Sequence, residues 1–570
     1  MIQTNLNSIL MTTQSNYKNA ADVAEEQLNA ISPSMCYAKW AQVSLHLTNG
    51  KTHSCYHPPV HDIDVNEIAE TPSALHNTPT KKQERKMMLE GERPEGCSYC
   101  WKIEDTGARS DRIYRSGEYW AQNSRDDIIA TSAEGNINPR YVEVNFNQAC
   151  NFKCSYCGPH LSNTWEKEIK QFGPYRTVDG MHNRLESLEK RGLMPLKVAQ
   201  KDNPYLNAFW KWWPDLYKSL EVFRMTGGEP LMDSNTFKVL EYVYNNPKKD
   251  LELSVTSNMC PPQQELFDRF IEAVKKLDDV EYGTEVYVQD PYDGTHWETW
   301  QHYIVGSDMK KYHKSSLPSI EREEIYVTFP EGMGPCLEEG DNTYNYMYTY
   351  RDKAYENFSL FVSLDAWGKQ AEYIRNGMEF DLLWANTNKF LDETKYTTVS
   401  FINTFNILSL PTFKQFLQGI LELRQKWSRD EQWKYGWEEP HKRVWFDIPL
   451  LRTPAWQCIN ILPKTYWHYL EEAIEFMEEH RATDNFTGFE DFEIAKARRN
   501  LAWMKKPPED QYELDLAKGN FYKFFKQHDR RRETNFLETF PEYAEWWEEC
   551  KQSVTVADLR HMQRLQTVTK

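Results

Sequence analysis

The chain has 570 residues, with 67 Lys and Arg against 85 Asp and Glu, for a formal charge of −18. That acidic balance favours solubility and does not steer the chain as a whole toward nucleic acid or anionic membranes. No apolar run approaches the roughly 20 residues of a membrane-spanning helix, and Met1–Thr13 lacks the basic start and apolar core of a signal peptide, so neither is expected.

Residues 1–30 are polar, and a flexible or loosely helical start is expected. Residues 31–125 hold Cys36, Cys55, Cys97 and Cys100 among few periodic segments, the pattern of a small metal-stapled module. Four thiolates saturate either a zinc ion or a 4Fe–4S cube, and ligand chemistry alone leans to zinc. From Tyr141 the pattern becomes strand–helix alternation. Tyr141–Phe146 reads as a strand that stops just before Cys150, Cys154 and Cys157, and Asn163–Phe172 reads as a helix. Glu221–Met225 is a second strand, running into Gly227-Gly228-Glu229-Pro230, with Ser234 capping a helix to about Tyr244. Leu251–Thr256 is a third strand, before a helix over Gln263–Lys275. Residues 282–356 break the repeat as an aromatic, Gly- and Pro-punctuated insertion, suited to packing or to a lid. Phe358–Leu364 and Tyr396–Phe405 are the fourth and fifth strands, followed by helices near Glu379–Leu391 and Thr412–Gln425. Val444–Ile448 or Trp456–Leu462 supplies a sixth. Residues 136–462 thus form one α/β unit, whose alternation implies a parallel sheet with right-handed crossovers and reactive loops at the strands' C-terminal ends. Residues 463–570 are mainly helical, with amphipathic stretches at Tyr466–His480 and Tyr512–Phe525.

Cys150, Cys154 and Cys157 fall within eight residues. Three thiolates at this spacing bind three irons of a four-iron cube and leave the fourth iron to a ligand that is not protein. The alternative is zinc, closed by His160 as a fourth ligand. Gly227-Gly228 permits a turn that excludes side chains, placing Glu229 where a carboxylate and nearby carbonyls can hold an ammonium group. Eleven cysteines are an odd number, and seven of them lie in metal-type groupings, which argues for a reducing cytoplasm rather than a disulfide framework. Cys260, Cys336, Cys458 and Cys550 read as buried small hydrophobes, and Phe209–Pro214 as packing. The densest basic run, His528-Asp529-Arg530-Arg531-Arg532, reads as a helix face or a salt-bridge partner.

Together the CxxxCxxC run and the Gly-Gly-Glu turn resemble the radical SAM superfamily, in which they follow the first and second barrel strands. The resemblance implies a partial (βα)6 barrel and a 4Fe–4S cluster on Cys150, Cys154 and Cys157 that binds S-adenosylmethionine (SAM). It implies Tyr156 against adenine, the Gly227, Gly228, Glu229 and Pro230 turn at the amino group, and Asn258 lining the site. It places Ser363 or Asp365 near the ribose and Arg375 toward the SAM carboxylate. The upstream quartet, with Gly50-x-x-x-x-Cys55 and Cys97-x-x-Cys100, resembles a twitch domain and implies a second, auxiliary 4Fe–4S cluster. It departs in order, since the familiar twitch follows the barrel. The likeness is to twitch-type radical SAM proteins of large tailed phages and some bacteria, over residues 36–120 and 141–460. It implies hydrogen abstraction by a 5′-deoxyadenosyl radical from a peptide, protein side chain or small molecule, with net oxidation. A flavodoxin or ferredoxin electron donor is implied, in a cytoplasm that is the host's if the chain is phage-encoded. The rival readings are an RNA- or nucleotide-modifying enzyme, which the charge disfavours, and a non-catalytic metal-stabilised accessory protein.

Overall fold

Nine strands form one sheet in the computed structural model, which describes residues 19–246, 248, 251–278, 358–394, 397–427, 442–483 and 486–568, with four further strands between residues 283 and 350. The strands are β1 (Gln42–His46), β2 (Lys51–His53), β3 (His61–Asp62), β4 (Tyr141–Asn145), β5 (Val222–Thr226), β6 (Glu252–Ser257), β7 (Phe358–Ser363), β8 (Thr398–Ile402) and β9 (Val444–Asp447). Their order is β9-β8-β7-β6-β5-β4-β1-β2-β3. From β4 to β9 each strand lies parallel to its predecessor, and β1 is parallel to β4 while β2 and β3 add an antiparallel edge. The molecule is therefore mixed α/β with a large parallel sheet. The N-terminal cysteine segment contributes three strands to that sheet. β1 is buried from Gln42 through Leu45, so it lacks the alternation that marks a half-exposed strand.

The linking helices are α1 (Asn163–Phe172), α2 (Pro204–Ser219), α3 (Ser234–Asn245), α4 (Gln264–Asp278), α5 (Phe380–Glu393) and α6 (Phe413–Trp427). Ser162 caps α1 through Trp165 N, and Gly173, at φ 77°, ends it. Ser234 is the first residue of α3 rather than its cap. Asp233 takes that role by accepting from Asn235 N. Of the two candidates for a sixth strand, Val444–Asp447 forms it, while Ala455–Gln457 and Ile459–Ile461 are short 3-10 turns. Pro454 and Pro463 bracket that apolar run and break its ladder.

Val142, Val144, Phe223, Met225, Leu253, Val255, Leu360 and Val362 are buried on the helix-covered face of the sheet. The opposite face is mainly polar, with the rings of Tyr141, Phe361 and Trp445 among its residues. Register aligns Glu143, Arg224, Ser254, Ser359 and Thr398 in one row across β4 to β8. The C-terminal helices α7 (Trp467–Glu479), α8 (Asp491–Met504), α9 (Gln511–Arg532) and α10 (Ala544–Val568) follow. Phe521 of α9 packs on Trp546 and Trp547 of α10. Within the insertion, Gly283–Val288, Gln301–Val305, Lys311–His313 and Tyr346–Tyr350 form an antiparallel sheet. Its remaining residues, Cys336 included, lie outside the described residues, as do residues 1–18. No described helix is long and apolar enough to cross a membrane.

Candidate functional site

The cysteine loop leaves β4 at its C-terminal end and is tied to five neighbouring elements. Glu229 N donates to Ala149 O at 2.6 Å, joining it to the turn after β5. Asn258 Nδ2, just past β6, donates to Asn151 Oδ1 at 2.9 Å. Cys154 and Lys153 pair antiparallel with Arg375 and Asn376, and Ser155 Oγ donates to Gln457 Oε1 at 2.8 Å. The Cys150 N–H is held by Asn163 Oδ1 at 3.0 Å.

The Gly-Gly turn is shaped against that loop. Gly227 and Gly228 have φ of 78° and 52°. A Cβ on Gly227 would lie 2.1 Å from Asn145, and one on Gly228 would lie 2.5 Å from Ala149 O. Glu229 is buried and accepts from Leu231 N (3.1 Å) and Ser257 Oγ (2.8 Å) on Oε1 and from Asn258 N (2.7 Å) on Oε2. Burial raises its pKa to about 7 against the pull of those three donors. Its carboxylate thus locks the ends of β5 and β6 together, and Pro230 opens the short turn that Glu229 caps. Asn258 is likewise engaged, with Oδ1 accepting from Cys260 N at 2.9 Å.

Tyr156, Asp365 and Arg375 meet beside Cys154. Arg375 Nη2 donates to Tyr156 Oη at 2.7 Å, Tyr156 Oη donates to Asp365 Oδ2 at 2.7 Å, and Arg375 Nε lies 2.8 Å from the same oxygen. Thr404 N donates to Asp365 Oδ1 at 2.8 Å. Arg375 Nη1 approaches Cys154 Sγ at 3.6 Å. Burial pushes the Cys154 thiol up, and Arg375 pulls it back toward the thiolate. Asp365 is 0% exposed with both oxygens occupied, so the Asp365–Arg375 pair faces Cys154 and Tyr156 rather than an open cleft. Ser363 ends β7 half-buried on the polar face. Cys150 and Cys157 are also raised by burial, Cys157 to about 12, and both are raised further by Cys154, so the three thiols lie within electrostatic reach of one another. Phe152 N donates to Cys150 Sγ at 3.4 Å.

Of the two readings of the basic run, salt-bridge partner holds for Arg532, though the sequence did not show that its partner lies behind this loop. Arg532 of α9 donates to Lys153 O at 2.6 Å and to Glu168 Oε2 at 3.0 Å, and its side chain is 0% exposed. The basic run 528–532 is therefore partly a buried buttress. His160 is half-buried, its Nδ1 has no hydrogen-bond partner among the described residues, and burial lowers its pKa.

Cys36, Cys55, Cys97 and Cys100 line one cavity of about 420 Å³, mouth included, together with Lys39, His57, Asp111, Arg112 and Arg115. None of the four is in a disulfide. Burial raises Cys55 to about 12 and Cys97 and Cys100 to about 11. Behind them Lys39, Lys81 and Arg85 are buried, and Glu84, 2.6 Å from Lys39 Nζ, is the carboxylate facing them. Burial works against the Lys39 charge, but Cys97, Glu84 and Cys55 hold its pKa above the ordinary lysine value. Among the described residues, no three His, Cys, Asp or Glu side chains converge on a point that a single metal ion would take. A cube makes no such demand, because each of its thiolates binds a different iron.

No protein-family model and no curated protein matches the chain. Among solved structures it is similar to SuiB of Streptococcus suis, in a crystal structure bound to S-adenosylmethionine, at 10% identity and a TM-score of 0.24. The match covers 67% of this chain and 60% of SuiB, so the chain spans less than two thirds of that protein.

Proposed function

We propose that the protein is a radical SAM enzyme built on a partial (βα)6 barrel. The observation that carries this reading is the docking of the three-cysteine loop at the end of β4 onto the Gly-Gly-Glu turn at the end of β5, through Glu229 N and Ala149 O. The donor set fits a site-differentiated cube: three thiols on one short loop, backbone and guanidinium donors at two of the sulfurs, and a side-chain-free turn beside them. When bound, such a cluster supplies the one electron that cleaves SAM to methionine and a 5′-deoxyadenosyl radical.

In this reading Cys150, Cys154 and Cys157 hold the cluster, and Arg375 stabilises Cys154 as thiolate. Asp365 fixes the guanidinium, and Tyr156 is oriented by both. Gly227 and Gly228 keep a turn open to the amino group of SAM, while Glu229, Pro230 and Asn258 fix that turn from behind. Ser363 offers a hydroxyl toward the ribose. Cys36, Cys55, Cys97 and Cys100 hold an auxiliary cluster in a twitch-like module, and the buried cations around them offset the charge of a tetrathiolate centre. The polar face of the sheet is the substrate chamber for a peptide or small molecule that undergoes net oxidation, with flavodoxin or ferredoxin as electron source.

Anaerobically reconstituted protein given dithionite and SAM should release 5′-deoxyadenosine and methionine, and Cys150→Ala with Cys154→Ala and Cys157→Ala should abolish both. Intact cluster absorbance without 5′-deoxyadenosine would sink the proposal.

A further inference from the structure

We infer that Arg224 is the anchor for a carboxylate of the substrate, so that the molecule acted on carries an acidic side chain or a free carboxyl end. The inference rests on the reading of the polar sheet face as the substrate chamber. Arg224 lies mid-strand on β5, three residues before Gly227, which places it about 10 Å down the strand from the Gly-Gly turn. It is the cation in the row of Glu143, Ser254, Ser359 and Thr398, whose other members are hydroxyls and one carboxylate.

The guanidinium is held on one side only. Its Nη1 donates to Tyr141 Oη at 3.2 Å and to Tyr56 Oη at 3.3 Å, and those hydroxyls are 2.5 Å apart. The Phe361 ring lies under it, 4.4 Å from Cζ, and fixes its plane. Glu143 Oε2 stands 4.0 Å from Nη1, at the outer limit of an ion pair. Nε is buried without a partner, and Nη2 makes no hydrogen bond among the described residues. The Nε–Nη2 edge is the fork that takes a planar carboxylate through two parallel bonds. The side chain is 25% exposed, and the buried Nε left without a partner is a cost that a bound carboxylate would relieve.

Arg224 stands next to Glu143, and the second guanidinium nearby, Arg115 on the Tyr56 and Tyr141 rings, is already paired with Glu118 at 2.6 Å, so the site suits a single negative charge better than a doubly charged phosphate. This favours a peptide or carboxylic acid over a nucleotide or RNA. Tyr56 follows Cys55 directly, so a molecule held here lies between the two cysteine sites.

The test is calorimetric binding of the tripeptide amides acetyl-Gly-Glu-Gly-amide and acetyl-Gly-Gln-Gly-amide to the full chain. Wild type should bind the Glu peptide at least tenfold tighter. Arg224→Gln should erase that preference, and Glu143→Gln, which removes the competing carboxylate, should widen it. Equal binding of both peptides by wild type, or a preference that survives in Arg224→Gln or shrinks in Glu143→Gln, would overturn the assignment. Release of 5′-deoxyadenosine by wild type is measured separately. A Glu preference without SAM cleavage defeats only the radical reading, and SAM cleavage without a Glu preference defeats only the carboxylate anchor.

Discussion

Gly228 is pressed against backbone, so no side chain can move aside to admit a larger residue. A Cβ there would meet Ala149 O at 2.5 Å and Asn147 O at 3.0 Å, on a residue whose φ is 52°. The left-handed conformation alone costs an L-residue about 1–2 kcal/mol, and the overlap adds to it. Gly228→Ala should therefore lower the urea midpoint and push the turn off the cysteine loop, with loss of 5′-deoxyadenosine release. Unchanged stability and turnover would show that the turn is not docked as described. Asp365 is the second decisive residue, because it neutralises a guanidinium that is 6% exposed. Asp365→Asn should cost about 3–5 kcal/mol in equilibrium unfolding, the scale for breaking a buried pair from one side. Asp365→Asn with Arg375→Met should recover part of that loss, because the stranded charge is gone.

At the scale of elements, α9 is the unexpected support of the site. Its last turn brings Arg532 to Glu168 of α1 and to the carbonyl of Lys153 in the cysteine loop. Burial works against the Glu168 charge, but Arg532, Tyr175 and Lys153 bring its pKa down to about 2. A carboxyl depressed below its unfolded value of roughly 4.3 stabilises the fold above that pH and loses the contribution as pH falls toward 2. Wild type should thus shed about 3 kcal/mol between pH 5 and pH 2 that Glu168→Gln does not shed, read from urea midpoints across that range. Equal acid sensitivity in both would remove Glu168 from this role. The α1 helix itself was legible, with Ser162 and Gly173 at its ends, and so were the alternating strands β4 to β9 to within a few residues. The cysteine triplet and the Gly-Gly turn stand out in the sequence because each is a short local run, and the structure brings the two runs together through Glu229 N and Ala149 O. The place of Arg532, 378 residues beyond Cys154, was not legible, since a charge run looks the same whether it is solvated or buried on a distant carboxylate. β1 was hidden for the related reason that a strand buried on both faces shows no period of two.

Across the whole molecule, the two cysteine sites sit at opposite ends of the same strands. The triplet follows the C-terminal end of β4, while Tyr56, next to Cys55, meets Tyr141 at its N-terminal end, about 13 Å from Asn145 along a five-residue strand. The sheet face carrying Arg224 lies between them, and in the proposed reading a substrate oxidised at the triplet would pass its electron to the quartet. That arrangement needs the quartet to be anionic, and its surroundings are built for an anion. Lys39 is 2% exposed and its ammonium is shared between Glu84 and Cys97, with Lys81 and Arg85 buried close behind. Burial drives the pKa of Lys81 and Arg85 down, but the Lys39 ammonium stays charged, and a buried cation facing one carboxylate is costly unless a further negative charge stands beside it. Four thiolates around a metal centre provide that charge, whereas four protonated thiols do not. Lys39→Met should therefore cost the metal-loaded protein about 1.5–3 kcal/mol more than the metal-free protein, the scale of a hydrogen bond to a charged group. The comparison is a double cycle of urea unfolding, wild type and variant, each loaded and stripped anaerobically by chelation. Equal losses in the two states would show that Lys39 answers to Glu84 alone and that the quartet holds no charged centre.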